Sequence, residues 1–390
     1  MNIQDYLKQV EGFGEAVDER EVLKRVFGDL SIPKDFAENF VKLLHPREIR
    51  VSVVEINDET PTTKTFRLAP KPEEGEGYLP PFRAGQYINW TARIGNVRTG
   101  RAFSIASPPH ERGFYEVTVR RIEGGFLSPH LLDSVKRGDE FTISGPAGNF
   151  YHEPLTDGNR LVFIAGGSGI TPFRSIIREV ADRGLDHEIT LFYGSRTPDD
   201  IIFDRELSKI SERHSNIRAH FVISDPPKGY AGKTGFITAG LIKESVKDIG
   251  GATFYLCGPD VMYRFVEEEL QKLGVTKRKI KKEASGPPAD ISAEPGWPRE
   301  VSKEATFSIV VNGEKTIPAR VGETVMTSLE RSGLYIPQLC RSGECSLCRT
   351  KVLAGKVFMP DRVLIRESDH WYGYIHACFA YPLSDLEIRY

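Results

Sequence analysis

Three cysteines, Cys340, Cys345 and Cys348, fall within nine residues in "YIPQLCRSGECSLCRTKV", and Cys378 follows thirty positions later in "GYIHACFAYPLSDLEIRY". Four thiols in this pattern constrain the chain more than any other feature, because one further cysteine, Cys257, is all that 390 residues contain. The amino terminus, "MNIQDYLKQVEGFGEAVDER", has neither the basic nor the apolar region of a signal peptide. A cytoplasmic location is expected, where structural disulfides are rare and metal ligation is the better use of clustered thiols.

The C-x4-C-x2-C spacing departs from the paired short arms of a zinc site and is that of the plant-type [2Fe–2S] loop. Ser342, Gly343 and Ser346 are small enough for close approach, and Gly343 can take positive φ and turn backbone amides toward cluster sulfides. Around the loop, "FSIVVNGEKTIPARV" alternates on both sides of Asn312-Gly313, a hairpin signal. "ETVMTSLERSGL" reads as a helix with Val325, Met326 and Leu329 on one side, and "PLSDLEIRY" as a closing strand. Residues 305–390 resemble a plant-type ferredoxin domain with a β-grasp fold. The resemblance implies a one-electron carrier with Cys340, Cys345, Cys348 and Cys378 as metal ligands.

A carrier needs an electron source, and 390 residues leave room for two or three domains. A net charge of -2 gives no nucleic-acid footprint, and no apolar run reaches the length of a membrane helix. Mid-chain, "NRLVFIAGGSGITPFRSIIREVADRG" reads as a buried strand, a glycine turn and a helix. Thr171 is expected to cap that helix and Pro172 to take its first position, with Ile176, Ile177 and Val180 facing the core. Such a turn is an anion site suited to a dinucleotide pyrophosphate, although it is not the G-x-G-x-x-G fingerprint. "HEITLFYGS", "IRAHFVISD" and "ATFYLCGPD" continue the alternation of strand and helix, so residues 156–283 predict a parallel, doubly wound sheet. Upstream, residues 49–155 carry short alternating strands ("RVSVVEINDE", "TKTFRLA", "QYINWTARI", "FYEVTVRRI", "DEFTISGP"), which predict a small antiparallel β-barrel.

Barrel, "RAFS", "GGSGITP" and "CGP" in this order resemble the ferredoxin–NADP reductase superfamily, and with the C-terminal domain the reductase component of an oxygenase. The resemblance implies NAD(P)H-dependent electron transfer through flavin and [2Fe–2S] to a partner metalloprotein: an oxygenase, a corrinoid protein or another acceptor. It assigns Arg101 to a flavin phosphate, Phe103 to the isoalloxazine face and Ser104 to the neighbourhood of the flavin N5. Phe103 replaces the family's tyrosine, which keeps stacking and loses a hydroxyl. Gly124, Gly125 and Ser128 would face the flavin pyrophosphate, which favours FAD, though FMN occurs in close relatives. Gly166, Gly167 and Thr171 would face the dinucleotide and flavin edge, with Cys257, Gly258 and Pro259 beside the nicotinamide ring. Ser195 and Arg196 would meet the adenosine ribose. Arg196 suits a 2′-phosphate and Asp199 and Asp200 oppose one, so NADH and NADPH both stay open here. Ser104 and Cys257 are the expected catalytic pair.

Residues 284–304 read as a Pro-, Ala- and Gly-rich linker. No aromatic follows Glu283, where relatives cover the flavin. Residues 1–48 predict helices in "REVLKRVFGDL" and "IPKDFAENFVKLL", the latter with Phe36, Phe40, Leu43 and Leu44 on one face. Two rival readings are a flavin or quinone reductase with an incidental cluster, and an electron-relay subunit fed by a partner.

Overall fold

The computed structural model describes residues 13–27, 41, 44, 46, 48–71, 78–283, 286–288, 290–302 and 304–390. Residues 1–45 form one compact unit and residues 46–390 another. In the first, helix α1 spans Phe13–Phe27 and so begins seven residues before the predicted "REVLKRVFGDL" segment. Of the second predicted helix only Val41 and Leu44 fall among the described residues, both helical; Phe36, Phe40 and Leu43 lie outside them.

The second unit opens with six antiparallel strands: β1 (Ile49–Thr60), β2 (Thr63–Pro70), β3 (Tyr87–Ile94), β4 (Val97–Ser104), β5 (Tyr115–Arg120) and β6 (Glu140–Ala147). Their order is β4-β3-β6-β1-β2-β5, and a bridge between Ile105 and Val117 brings the two edges together. Alternation makes the core: Val51, Val53, Phe66, Leu68, Ile88 and Trp90 point inward, and Trp90 meets Phe66 edge-on at 5.3 Å. The segment "RTGRAFS", given no element in the sequence reading, is most of β4 and pairs with β3 from Val97 to Ser104. Helix α2 (Leu127–Ser134) follows β5.

Six parallel strands come next: β7 (Arg160–Gly166), β8 (Glu188–Ser195), β9 (Ile217–Ile223), β10 (Lys233–Thr234), β11 (Thr253–Cys257) and β12 (Ile280–Lys282). Their order is β10-β9-β8-β7-β11-β12, with the apolar run of β7 at the centre and buried on both faces. The reversal of strand order beside β7 opens a crevice at the carboxyl ends. Helix α3 (Ile170–Arg183) buries Ile176, Ile177 and Val180 as expected. Thr171 does not cap it. The N-cap is Gly169, Thr171 and Pro172 are the second and third helical residues, and the Thr171 hydroxyl donates to Ser168 O at 2.8 Å. The remaining helices of this layer are α4 (Asp204–Arg213), α5 (Ala239–Ser245) and α6 (Asp260–Lys272).

The barrel and the parallel sheet meet through Glu116, a buried residue of β5. It accepts from Arg174 Nη1 at 2.7 Å and from Arg67 Nη2 at 2.7 Å. Arg174 also donates to Ala106 O at 3.1 Å and to Glu206 at 2.6 Å.

The described part of the linker is pinned and not merely extended. Ile291 is buried, and Trp297 packs edge-on against Phe358 and Tyr381. A five-stranded mixed sheet follows, built from β13 (Thr306–Val311), β14 (Lys315–Arg320), β15 (Arg349–Ala354), β17 (Tyr374–His376) and β19 (Leu386–Arg389). A small separate pair joins β16 (Val357–Phe358) to β18 (Tyr381–Pro382). The β13–β14 hairpin turns at Asn312-Gly313 with φ of 54° and 72°, as the dipeptide predicts. Helix α7 (Val325–Arg331) is capped by Thr324, whose hydroxyl accepts from Thr327 N at 3.1 Å, and it buries Val325, Met326 and Leu329. Helix α8 is Glu367–Trp371.

Gly169 shows how tightly the central turn is packed. A Cβ there would stand 2.0 Å from Cys257 O. Gly169→Ala therefore forces strand and turn apart, at a cost of roughly 1–3 kcal/mol, and lowers the first thermal transition. Gly240→Ala on α5 is the control, since its Cβ meets nothing closer than Thr238 Oγ1 at 3.8 Å. Replacing a helical glycine there is expected to gain roughly 0.5–1 kcal/mol. Differential scanning calorimetry of both variants checks the contrast.

Candidate functional site

A cleft of about 1000 Å³ opens where the carboxyl ends of β7, β8 and β11 face the end of β4. Phe103 and Ser104 line it from the barrel. Gly166, Gly167 and Thr171 line it from the central turn, and Cys257, Gly258 and Pro259 from the end of β11. Ser195 and Arg196 form its far wall. Residues from separate stretches of sequence thus converge on one crevice, of a size that suits cofactor binding.

Local chemistry explains why this sequence makes the crevice. Gly167 has φ +53° and a Cβ on it would lie 2.6 Å from Arg120 Nη1. On Gly166 and Gly258, Cβ atoms would meet the Met262 sulfur at 2.7 and 2.9 Å. The glycines therefore bring bare backbone N–H groups to the wall at the start of α3, where an anionic pyrophosphate is favoured. Arg120 adds a cation directly over the turn and pairs with Asp200 at 3.3 Å. Sequence reading took "VRRI" only as a strand end and missed it. Asp200 also lies 3.6 Å from Arg196, whose side chain is 74% exposed.

Two further residues of the wall were missed. The Tyr263 hydroxyl accepts from Gly258 N at 3.2 Å and donates to Glu283 O at 3.0 Å, tying the "CGP" turn to the chain leaving β12. The Glu283 side chain lines the cleft, and its Oε2 is buried without a hydrogen-bond partner. Burial, and then the Glu344 carboxylate, push Glu283 up to about 8. Burial also raises the Cys257 thiol well above its ordinary value, with Glu283 adding to the effect, so Cys257 stays a neutral thiol. The position expected to lack an aromatic cover, Ala284-Ser285, lies outside the described residues.

Arg101, Gly124, Gly125 and Ser128 are not on the cleft wall. The Ser128 hydroxyl accepts from Ile122 N at 2.9 Å and shapes the turn before α2. Gly124 takes φ +67°, and a Cβ on Gly125 would lie 2.8 Å from Ile122 O. Arg101 Nη1 donates to Thr99 Oγ1 and Gly100 O, both at 2.7 Å.

The four clustered cysteines are brought together in the last domain, three of them buried and Cys345 half-buried. Cys340 Sγ accepts from Ser342 N at 3.3 Å and from Cys345 N at 3.4 Å. Their thiols associate two and two, Cys340 with Cys345 and Cys348 with Cys378. Among the described residues no three such side chains converge on one point. Four thiols at this spacing are the donor set of a plant-type [2Fe–2S] centre. Arg341, Gly343 and Ser346 all have positive φ, at 54°, 78° and 58°, which turns the loop's amides inward. The buried Ser342 hydroxyl lies beside the Cys340 thiol and is a donor suited to a cluster sulfur. His376, the last residue of β17, holds the loop through Nδ1 at 2.8 Å from Gly343 O.

Glu283 yields a pH prediction. Its ordinary carboxyl value is about 4.3, and the fold holds it near 8. Between those values the folded chain binds one proton more than the unfolded chain, so the stability due to Glu283 falls as pH rises. Glu283→Gln removes that dependence. The variant is expected to gain on the wild type steadily between pH 5 and 8 in thermal midpoint and to level off above 9; a constant difference across that range contradicts the assignment.

Comparison with known proteins agrees with this geometry. Residues 50–152 match the oxidoreductase FAD-binding domain, residues 163–268 the oxidoreductase NAD-binding domain, and residues 309–383 the 2Fe-2S iron-sulfur cluster binding domain. The chain is 30% identical over 345 residues to the NADH oxidoreductase HCR of Escherichia coli, covering 86% of this chain and 96% of that one. It is 29% identical over 324 residues to the glycine betaine monooxygenase reductase subunit of Pseudomonas aeruginosa, covering 79% and 87%. Phthalate dioxygenase reductase, a solved structure, shares the fold with a TM-score of 0.64 at 22% identity, over 88% of this chain and 97% of that one. The chain belongs to the ferredoxin reductase-type NAD(P)H oxidoreductases that carry FAD and a C-terminal [2Fe–2S] domain, and it moves electrons from the nicotinamide through the flavin to the cluster.

Proposed function

We propose that this chain is the reductase component of an oxygenase system, taking electrons from NADH and delivering them singly to a separate oxygenase. The observation that carries the reading is the docking of the cluster loop on the flavin barrel. Asn89 Nδ2 donates to Leu339 O at 2.9 Å, and Arg341 donates to Thr99 and Gly100 of β4. The electron path therefore has its two protein ends, cleft and cluster loop, on neighbouring parts of one barrel. Names of relatives, such as the glycine betaine monooxygenase reductase subunit, favour an oxygenase over a corrinoid protein as acceptor.

In this reading FAD, when bound, supplies the conversion of a hydride into single electrons. The chain's residues position it. Arg101 pairs with the flavin phosphate, Phe103 lies on the ring, and the Ser104 hydroxyl faces N5. Gly124, Gly125 and Ser128 shape the turn that meets the pyrophosphate. Gly166, Gly167 and Thr171 offer the central turn to the dinucleotide, and neutral Cys257, with Gly258 and Pro259, walls the nicotinamide. Cys340, Cys345, Cys348 and Cys378 ligate the cluster. NADH is preferred because Arg196 is paired with Asp200 and mostly exposed, leaving the far wall without a cation dedicated to a 2′-phosphate.

Three measurements test this. Cys345→Ser is expected to lose the [2Fe–2S] signal and at least 90% of transfer to one-electron acceptors while NADH still bleaches the flavin. NADH is expected to exceed NADPH in kcat/KM by about tenfold, one such factor being about 1.4 kcal/mol. Arg196→Ala should then shift NADH kcat/KM less than threefold; a wild type that prefers NADPH, with the advantage lost in Arg196→Ala, reverses the nucleotide choice. For the acceptor, holoprotein and NADH are added to a purified oxygenase lacking its reductase. Substrate-dependent O2 uptake supports the reading, and reduction of a corrinoid protein without O2 uptake overturns it.

A further inference from the structure

Arg101 does not hold its backbone acceptors alone. Arg341, the residue after Cys340, donates from Nη1 to the same Gly100 O at 2.9 Å and the same Thr99 Oγ1 at 3.3 Å. Its guanidinium also grips Glu330 at 2.8 and 3.1 Å, and Gln338 Oε1 accepts from it at 2.8 Å. Glu330 reaches back toward Arg101 at 3.9 Å. The Arg341 and Glu330 side chains are 7% and 5% exposed. Two guanidinium groups thus share one buried carboxylate between the barrel and the cluster domain, Arg341 buried and Arg101 36% exposed. Burial, and the neighbouring Arg341, push Arg101 down to about 10 against the pull of Glu330. Two guanidiniums facing one carboxylate leave a net positive charge beside Arg101, where an anion from the solvent side is favoured.

The rest of the joint follows the same hairpin. Asn89 of β3 holds Leu339 O, and Arg98 of β4 lies over the Tyr335 ring at 4.1 Å. The segment 335–341, which leads into the cluster loop, is laid along β3 and β4 beside Arg101.

We propose that Arg341 and Glu330 are positioning residues that seat the cluster loop on β4 and complete, from the cluster domain, the cationic site that receives the flavin phosphate. The inference rests on the reading that Arg101 meets that phosphate. The flavin supplies the anion that the joint lacks. Loading flavin therefore tightens the seating of the cluster domain through Arg341, and losing the Arg341 cation weakens the hold on flavin. Electron transfer depends on the distance and orientation of its two centres, so loosening this joint slows transfer from flavin to cluster more than it changes either centre.

The test compares wild-type holoprotein with Arg341→Gln, Glu330→Gln and Arg101→Ala. Iron content and the EPR spectrum report the cluster, ultrafiltration after dilution gives the flavin Kd, and rapid mixing with NADH follows flavin and cluster reduction in one experiment. Arg341→Gln and Glu330→Gln are expected to lower the ratio of cluster to flavin reduction rates at least tenfold. The flavin Kd is expected to rise at least threefold in Arg341→Gln, which removes a cation, and not to rise in Glu330→Gln, which removes an anion. A role in folding alone does not produce opposite shifts. The inference is overturned if Arg341→Gln leaves the flavin Kd within threefold of wild type while Arg101→Ala raises it tenfold. If Arg101→Ala leaves flavin binding unchanged, the assignment of Arg101 fails, and the inference with it. Should Arg341→Gln lose its cluster, Glu330→Gln decides: a rate ratio within threefold of wild type, or a weakened flavin, overturns the proposal.

Discussion

The Glu116 carboxylate is the point on which the catalytic cleft depends. Burial alone would raise it, but Arg174 and Arg67 outweigh that and hold it below the ordinary carboxylate range. Removing one partner of a buried pair costs roughly 3–5 kcal/mol, which applies to Arg174 and Glu116; Arg67 is one third exposed and adds less. The geometry matters as much as the energy. Glu116 sits on β5, four residues before Arg120, and Arg174 sits on the first turns of α3, just after the glycine turn. Their contact sets how far the turn stands from the barrel, which is the width of the cleft. The Ser175 hydroxyl, donating to Ser107 O at 2.7 Å, repeats the link one residue on.

Much of this was legible in the sequence where a local rule has one physical solution. Cys340, Cys345, Cys348 and Cys378 come together, two and two, in one domain, as four thiols at that spacing predict. Asn312-Gly313 turns because both residues tolerate positive φ. The apolar run of β7 lies mid-sheet because a strand buried on both faces has no polar positions to alternate. In each case the information is contained within a dozen residues.

What failed to read needed distant partners. Arg120 looks like a strand end and Glu283 like the last residue of the parallel-sheet domain, and only the tertiary fold sets their side chains on the cleft wall. His376 looks like any strand histidine until Gly343 O is placed beside it. Thr171 was misread as a cap because Ser and Thr favour caps in general; here the one-turn segment before α3 ends the strand first, and Gly169 takes the cap because Cys257 O leaves no room for a side chain. Residues 284–304 looked unstructured because composition cannot show that Ile291 and Trp297 find apolar partners.

The two joints of the molecule differ in a way that suits their tasks. Between barrel and parallel sheet, Arg174 and Arg178 are matched by Glu116, Glu206 and Glu111, so every guanidinium has carboxylate partners of its own or shared with one neighbour. That joint is charge-matched within the protein itself. Between barrel and cluster domain, Arg101 and Arg341 have Glu330 between them. On the proposal above, that net positive charge lets a bound anion strengthen the joint. The cluster has to face the flavin when it takes an electron and an outside acceptor when it gives one up. A joint whose strength depends on a bound anion can meet both demands without unfolding either domain.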